Sequence, residues 1–167
     1  MKVVRNNIFE SNSSSSHSVA IRGKAKYNDL PPKNEEITVY PKEFGWNGPP
    51  CDDFNSKLTY AMQMILHTEY PESVVYEDNK YVDQDILEQC EGYQLLLKAI
   101  QKYTPTCKRI VIKREKAGGW SWYPYGYIDH QSCNYYSLAD FLDDWNVDVE
   151  RYLFDDDVIV HIDNDNH

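Results

Sequence analysis

The chain has 167 residues, 41% hydrophobic and 26% charged, which suits one domain around one core. Its 17 basic and 27 acidic side chains leave a formal charge of −10, a field that repels a nucleic-acid backbone and disfavours direct duplex binding but attracts a basic protein. The amino end lacks a signal-peptide core, no apolar run reaches membrane-spanning length, and Cys51, Cys90, Cys107 and Cys133 form no Cys-x-x-Cys pair. Together these features imply a cytoplasmic protein with reduced thiols, no zinc site and no membrane partner.

Residues 2–9 are β-branched at Val3, Val4 and Ile8 and read as a strand. The serine-rich segment 10–18 then breaks it, since serines bond their own backbone and favour turns. Residues 18–22 read as a second strand, joined to the first in a hairpin through the serine loop. A loop carrying Pro31 and Pro32 follows, then a third strand over 36–40 that Pro41 stops. Residues 44–50 are an aromatic loop rich in Gly and Pro.

The spacing of Leu58, Ala61, Met62, Ile65 and Leu66 predicts a helix over 53–69, closed by Pro71. A short edge strand is expected at 74–76. A second helix is expected over 85–103, with Gly92 weakening its middle enough to split it. Residues 108–114 alternate around Ile110 and Ile112 as a strand. A turn at 117–119 leads into an aromatic return strand over 120–129, interrupted by Pro124. Ser137 and Asp140 have capping-box spacing and open a third helix, with a further helical turn at 149–154 and a last strand at 158–162. This order implies an α+β fold: a single domain over 1–162 with a mostly antiparallel sheet and helices packed on one face, and a polar tail at 163–167.

Four segments contain residues suited to chemistry. In the first, Glu10, Asn12, Ser13, Ser14, Ser15, Ser16 and Ser18 surround His17. Hydroxyls and successive main-chain N–H groups in a turn make an anion-binding concavity, and an imidazole titrates near neutrality, so the segment suits a phosphate and a proton transfer. The alternative is a hairpin loop with serines for solubility and His17 exposed or capping. In the second, Asp129, His130 and Ser132 offer another acid or base, with Asp129 orienting an imidazole; the alternative is a polar strand end. In the third, Trp46 follows Phe44 and Gly45, where the rings cover either a ligand or the start of the next helix. In the fourth, Asp155, Asp156, Asp157, His161, Asp163 and Asp165 form a carboxylate run without the Gly and Glu offsets of a calcium loop, so a solvated surface is expected rather than a metal site. Nucleotide P-loops, Gly-x-Gly-x-x-Gly, Gly-x-Ser-x-Gly and His-Glu-x-x-His are missing, and no cofactor is implied.

The run from Arg5 to Ser18, Arg-Asn-Asn-Ile-Phe-Glu-Ser-Asn-Ser-Ser-Ser-Ser-His-Ser, resembles the opening of a family of small bacteriophage and bacterial mobile-element proteins. That family is similar again at Glu43–Trp46, at Lys57 with Tyr60, at Ile128–Ser132 and at Asp163–Asp165, so the resemblance spans the chain. Ser11 stands where Thr is expected, which keeps the hydroxyl. No activity is established for the family, and the resemblance implies a setting: an accessory protein made inside an infected bacterial cell. The expected ligand is a phosphate-bearing small molecule or nucleotide. A non-enzymatic, acidic protein that binds and inhibits a basic host protein is the alternative.

Overall fold

The computed structural model describes residues 15–44, 49–71, 80–114, 123–128 and 135–164, with the backbone alone at 15–17 and 163–164. The chain is an α+β domain organised around helix α1 (Phe54–Thr68). Twelve of its residues are buried, the polar Ser56, Lys57, Thr59 and Gln63 among them, because other elements cover it on every side. The helix starts where expected. Asp53 accepts from the Ser56 N–H at 3.0 Å while the Ser56 hydroxyl reaches back to the Asp53 N–H, a complete capping box.

The remaining helices are α2 (Gln84–Leu87), α3 (Glu91–Tyr103), α4 (Leu138–Asp144) and α5 (Val149–Phe154), of which α3, α4 and α5 pack against α1. The single helix expected over 85–103 is broken at 88–90, ahead of Gly92. Gly92 is needed for close approach rather than as a breaker. A Cβ there would lie 2.5 Å from the Glu69 carboxylate, which accepts from Gly92 N–H at 2.7 Å and from Leu138 N–H at 2.9 Å. One carboxylate thus caps the first turns of α3 and α4. Ser137 caps α4 by accepting from Asp140 N–H, as its spacing predicted.

Three two-stranded ladders occur among the described residues. Strand β1 (Ser15–Ile21) runs antiparallel to β6 (Val158–Asn164), the longest ladder, with His17 opposite Ile162 and Ser18 opposite His161. Cys51 bonds Val160 in both directions from the other edge of β6. Strand β2 (Glu36–Val39) runs parallel to β4 (Arg109–Ile112), and β3 (Glu43–Phe44) parallel to β5 (Tyr127–Ile128).

Three local expectations change. Ser15 and Ser16 belong to β1 rather than to a loop, and β6 extends through Asn164, two residues into the expected tail. The strand after β4 does not return along it: residues 123–126 turn, with Gly126 at φ 76°, and redirect the chain so that β5 joins β3. The strands expected at 2–9 and 74–76 and the turn at 117–119 lie outside the described residues.

Candidate functional site

The β1–β6 register decides what the serine segment can do. Side chains alternate across a strand, so Val19 and Ile21 share one face with Val160 and Val158, and that face is the core side, where Val19, Val160 and Val158 are buried. Ser18 and Ala20 share the opposite face with His161, and there Ser18 and His161 are half-buried partners. Extended backbone sends successive N–H groups in opposite directions, so Ser15–Ser18 do not form the concave nest expected of a serine turn. The side chains of Ser15, Ser16 and His17 are not described. Glu10, Asn12, Ser13, Ser14, Trp46, Asp129, His130 and Ser132 lie outside the described residues.

The described chain does show where those segments depart. Phe44, two residues before Trp46, and Ile128, the residue before Asp129, are direct partners in the parallel β3–β5 ladder. The two chains therefore leave the ladder side by side and in the same direction. Cys51 pairs antiparallel with Val160, so Pro50 and Pro49 run towards the Ile162 end of β6, which is the serine–histidine end of β1. Residues 45–48 connect these places. A fully extended chain from Phe44 to Pro49 spans at most roughly 17 Å.

The β3–β5 ladder is anchored by two side chains of α1. Gln63, fully buried, accepts from Lys42 N–H at 2.8 Å and donates to Lys42 C=O at 2.6 Å, pairing its amide with a peptide group as a strand would. The same carbonyl accepts from Tyr127 N–H. A Cβ at position 126 would lie 2.4 Å from both that carbonyl and the Gln63 amide nitrogen, which is why glycine stands there. One turn along α1, His67 accepts from Ile128 N–H at Nε2, 3.4 Å away, and its ring meets Tyr127 edge-on. Burial pushes the His67 imidazole down to about 4, so it is neutral at pH 7 and serves as an acceptor.

Beside Lys42 lies a cavity of about 300 Å³, lined by Thr38, Val39, Tyr40, Lys42, Asn55, Leu58 and Thr59. That volume stands at the lower end of small-ligand sites. Lys42 and Asn55 are exposed at its rim, while Thr59 donates its hydroxyl to Asn55 C=O within α1.

The acidic run has a structural part. Asp155 is fully buried and receives Arg151 Nε at 3.1 Å and Asp157 N–H at 3.0 Å; Asp156 accepts from Asn28, and Asp157 lies 3.4 Å from Lys26. The carboxylates of Asp155, Asp156 and Asp157 lie within 4.8 Å of one another, and each has a protein partner. Cys51, Cys90 and Cys107 are free and buried; burial raises all three thiols, Cys51 to about 12, which makes them poor nucleophiles at neutral pH.

Gln63, His67 and Lys42 were not singled out in the sequence. A signal for Gln63 exists there: a polar amide between Met62 and Met64, inside the apolar stripe of a helix, must find a partner if buried. His161 was noticed only as part of the acidic run. No family model matches the chain, and no curated protein or solved structure matches it. None of the described helices is long and apolar enough to cross a membrane.

Proposed function

We propose that this chain is a phage-type accessory protein of the bacterial cytoplasm that binds or processes a phosphate-bearing small molecule, a nucleotide in class. Of the serine segment, Asn12, Ser13 and Ser14 ahead of β1 would contact the phosphate, His17 and His130 would handle protons, Asp129 would orient an imidazole, and Trp46 would cover the ligand. The observation that supports this reading is chain routing. The departures towards Trp46 and Asp129 are adjacent at Phe44 and Ile128, and the chain beyond Phe44 returns at Pro49–Cys51, whose Pro49 end lies towards the end of β6 that faces Ser15–Ser18.

The test is isothermal titration of the full chain with a panel of mono-, di- and cyclic nucleotides and inorganic phosphate. One-site binding is expected, weakened about tenfold or more by either His17→Ala or His130→Ala, the loss of one hydrogen bond to a charged group. Silence from every compound would overturn the assignment, as would binding untouched by both substitutions.

A second reading, an acidic protein that docks on a basic host protein, is favoured by exposed rings rather than by the serine segment. Tyr136 is 88% exposed and Tyr81 68%, on a chain of charge −10. Salt-sensitive capture of a purified basic protein, unchanged by His17→Ala, would select this reading over the first.

A further inference from the structure

The β2–β4 pair has one closed edge and one open edge. Lys113 N–H donates to Val39 C=O, so in this parallel register Ile37 and Val39 turn their main-chain groups towards β4, while Thr38 and Tyr40 turn theirs away. On the far side of β4 the outward groups of Ile110 are satisfied: its N–H donates to the Tyr93 hydroxyl at 2.9 Å and its C=O accepts from Gln84 at 3.0 Å. On the far side of β2 nothing among the described residues bonds the outward N–H or C=O of Thr38 or Tyr40. An unpaired strand edge is a template for another strand, and proteins normally cover or blunt it. Here Pro41 stops the edge at one end, but along Thr38–Tyr40 it borders the cavity, with the Asn55, Leu58 and Thr59 side of α1 as the opposite wall.

We infer that this groove between the open edge of β2 and the first half of α1 takes a short extended peptide by strand addition, with an acidic side chain of the peptide beside Lys42. Strand addition draws affinity from main-chain bonds and specificity from alternate side chains. The edge supplies the first through Thr38 and Tyr40. The groove supplies the second: the buried Leu58 and Val39 form its apolar floor, the exposed Asn55 offers a side-chain amide, and Lys42 offers a charge at the end of the groove. Lys42 is an exact point of reference for that charge because Gln63 fixes its peptide group from both sides. Lys113, 5.8 Å from the centre of the Tyr40 ring, adds positive charge on the same end of β2, so an acidic peptide is matched where the chain as a whole would repel it. This inference stands apart from the nucleotide reading, since none of its residues belongs to the serine or Asp-His segments.

The test is selection of a phage-displayed random octapeptide library on the immobilised full chain, followed by titration of the enriched peptides into isotope-labelled protein by NMR. The expected result is a family of sequences rich in β-branched residues with one fixed Asp or Glu. Their binding should move the amide resonances of Thr38 and Tyr40, weaken about tenfold or more with Lys42→Glu, and weaken similarly when alternate peptide nitrogens are methylated, which removes main-chain donors without changing side chains. Thr38→Pro gives a second probe, since it deletes an outward N–H that the β2–β4 ladder does not use. Four outcomes would overturn the inference: no enriched family, enrichment without an acidic position, binding indifferent to nitrogen methylation, or shifts confined to other residues. So would nucleotides moving Thr38 and Tyr40 in place of peptides, or self-association of the chain through this edge in sedimentation.

Discussion

Lys57 and Gln63 are both fully buried on α1, and both bond main-chain atoms of a distant segment, yet the segments they hold differ in kind. Lys57 donates to Asp155 C=O at 2.8 Å and Val158 C=O at 3.4 Å, at the joint between α5 and β6, while Tyr152 donates its hydroxyl back to Lys57 C=O at 2.9 Å. That joint is closed: Asp155, Tyr152, Phe154 and Val158 are all fully buried. Gln63 holds Lys42, whose side chain is exposed beside a cavity and whose ladder leads out towards Trp46 and Asp129. A buried polar side chain therefore means different things along one helix. At the Lys57 joint it completes the core, and at Lys42 it fixes the backbone from which an exposed side chain projects.

The largest effect is expected at the closed joint. Lys57→Ala removes a long packed stem and takes the ammonium donor away from two inward carbonyls, those of Asp155 and Val158. A loss of about 3–5 kcal/mol in urea unfolding is expected, the range for breaking a buried charged interaction from one side. Burial already pulls the Lys57 ammonium down, against the pull of Asp29 and Asp155, so Lys57→Met should cost clearly less, because it keeps the stem and removes a charge that is costly to bury. Equal losses for the two substitutions would show that the carbonyl contacts dominate over packing.

At Lys42, Gly126→Ala sharpens the contrast. The residue has φ 76°, and a Cβ would press on the Lys42 carbonyl and the Gln63 amide at 2.4 Å, both tightly held. A cost of about 3 kcal/mol is expected, from left-handed strain plus displacement of the amide pair. Because the displaced group is the Lys42 peptide, peptide binding at the β2 groove should weaken in the same variant beyond what instability explains. A variant that loses stability but binds normally at low temperature would show that Gln63 does not set the geometry of Lys42.

These positions also show what was legible beforehand. Helix α1, the cap of α4 and the strands β2 and β4 followed from periodicity and turn chemistry, which act between neighbours in sequence, whereas the Asp53–Ser56 capping box of α1 went unread. The break between α2 and α3 did not sit at Gly92, because Gly92 answers to Glu69, which is 23 residues away. The partner of β5 was missed for the same kind of reason: Gly126 and Lys42 together decide the chain direction, and local alternation cannot see Lys42. In the site, the serine run looked like a turn because serines favour turns when nothing else intervenes, yet β6 supplies a ladder that outweighs this preference at Ser15–Ser18. Gln63 and His67 are conspicuous only once α1 is known to be covered on all sides.

The smallest of these effects concerns His67, and pH reaches it without a mutation. Its imidazole is held near 4 by burial, against an ordinary value of 6.5 in an unfolded chain. Between those values the unfolded chain binds a proton that the folded one refuses, so stability is complete above about pH 6.5 and falls as pH drops towards 4. From pH 7 to pH 5 the loss should be roughly 2 kcal/mol. Asp53 adds a loss of the same sign at lower pH. Burial raises its carboxyl, but the Ser56 hydrogen bonds outweigh that and leave it below its ordinary value, so its contribution disappears only as pH falls through the carboxylate range. His67→Gln separates the two. The glutamine carbonyl keeps an acceptor for Ile128 N–H and cannot titrate, so the variant should be spared the roughly 2 kcal/mol that the wild type loses between pH 7 and pH 5, while the Asp53 loss persists in both. A parallel pH dependence in the two proteins, or a His67 ring resonance that titrates near 6.5, would mean that the imidazole is open to water, and the β3–β5 end of α1 would then be looser than the Lys57 end in packing as well as in function.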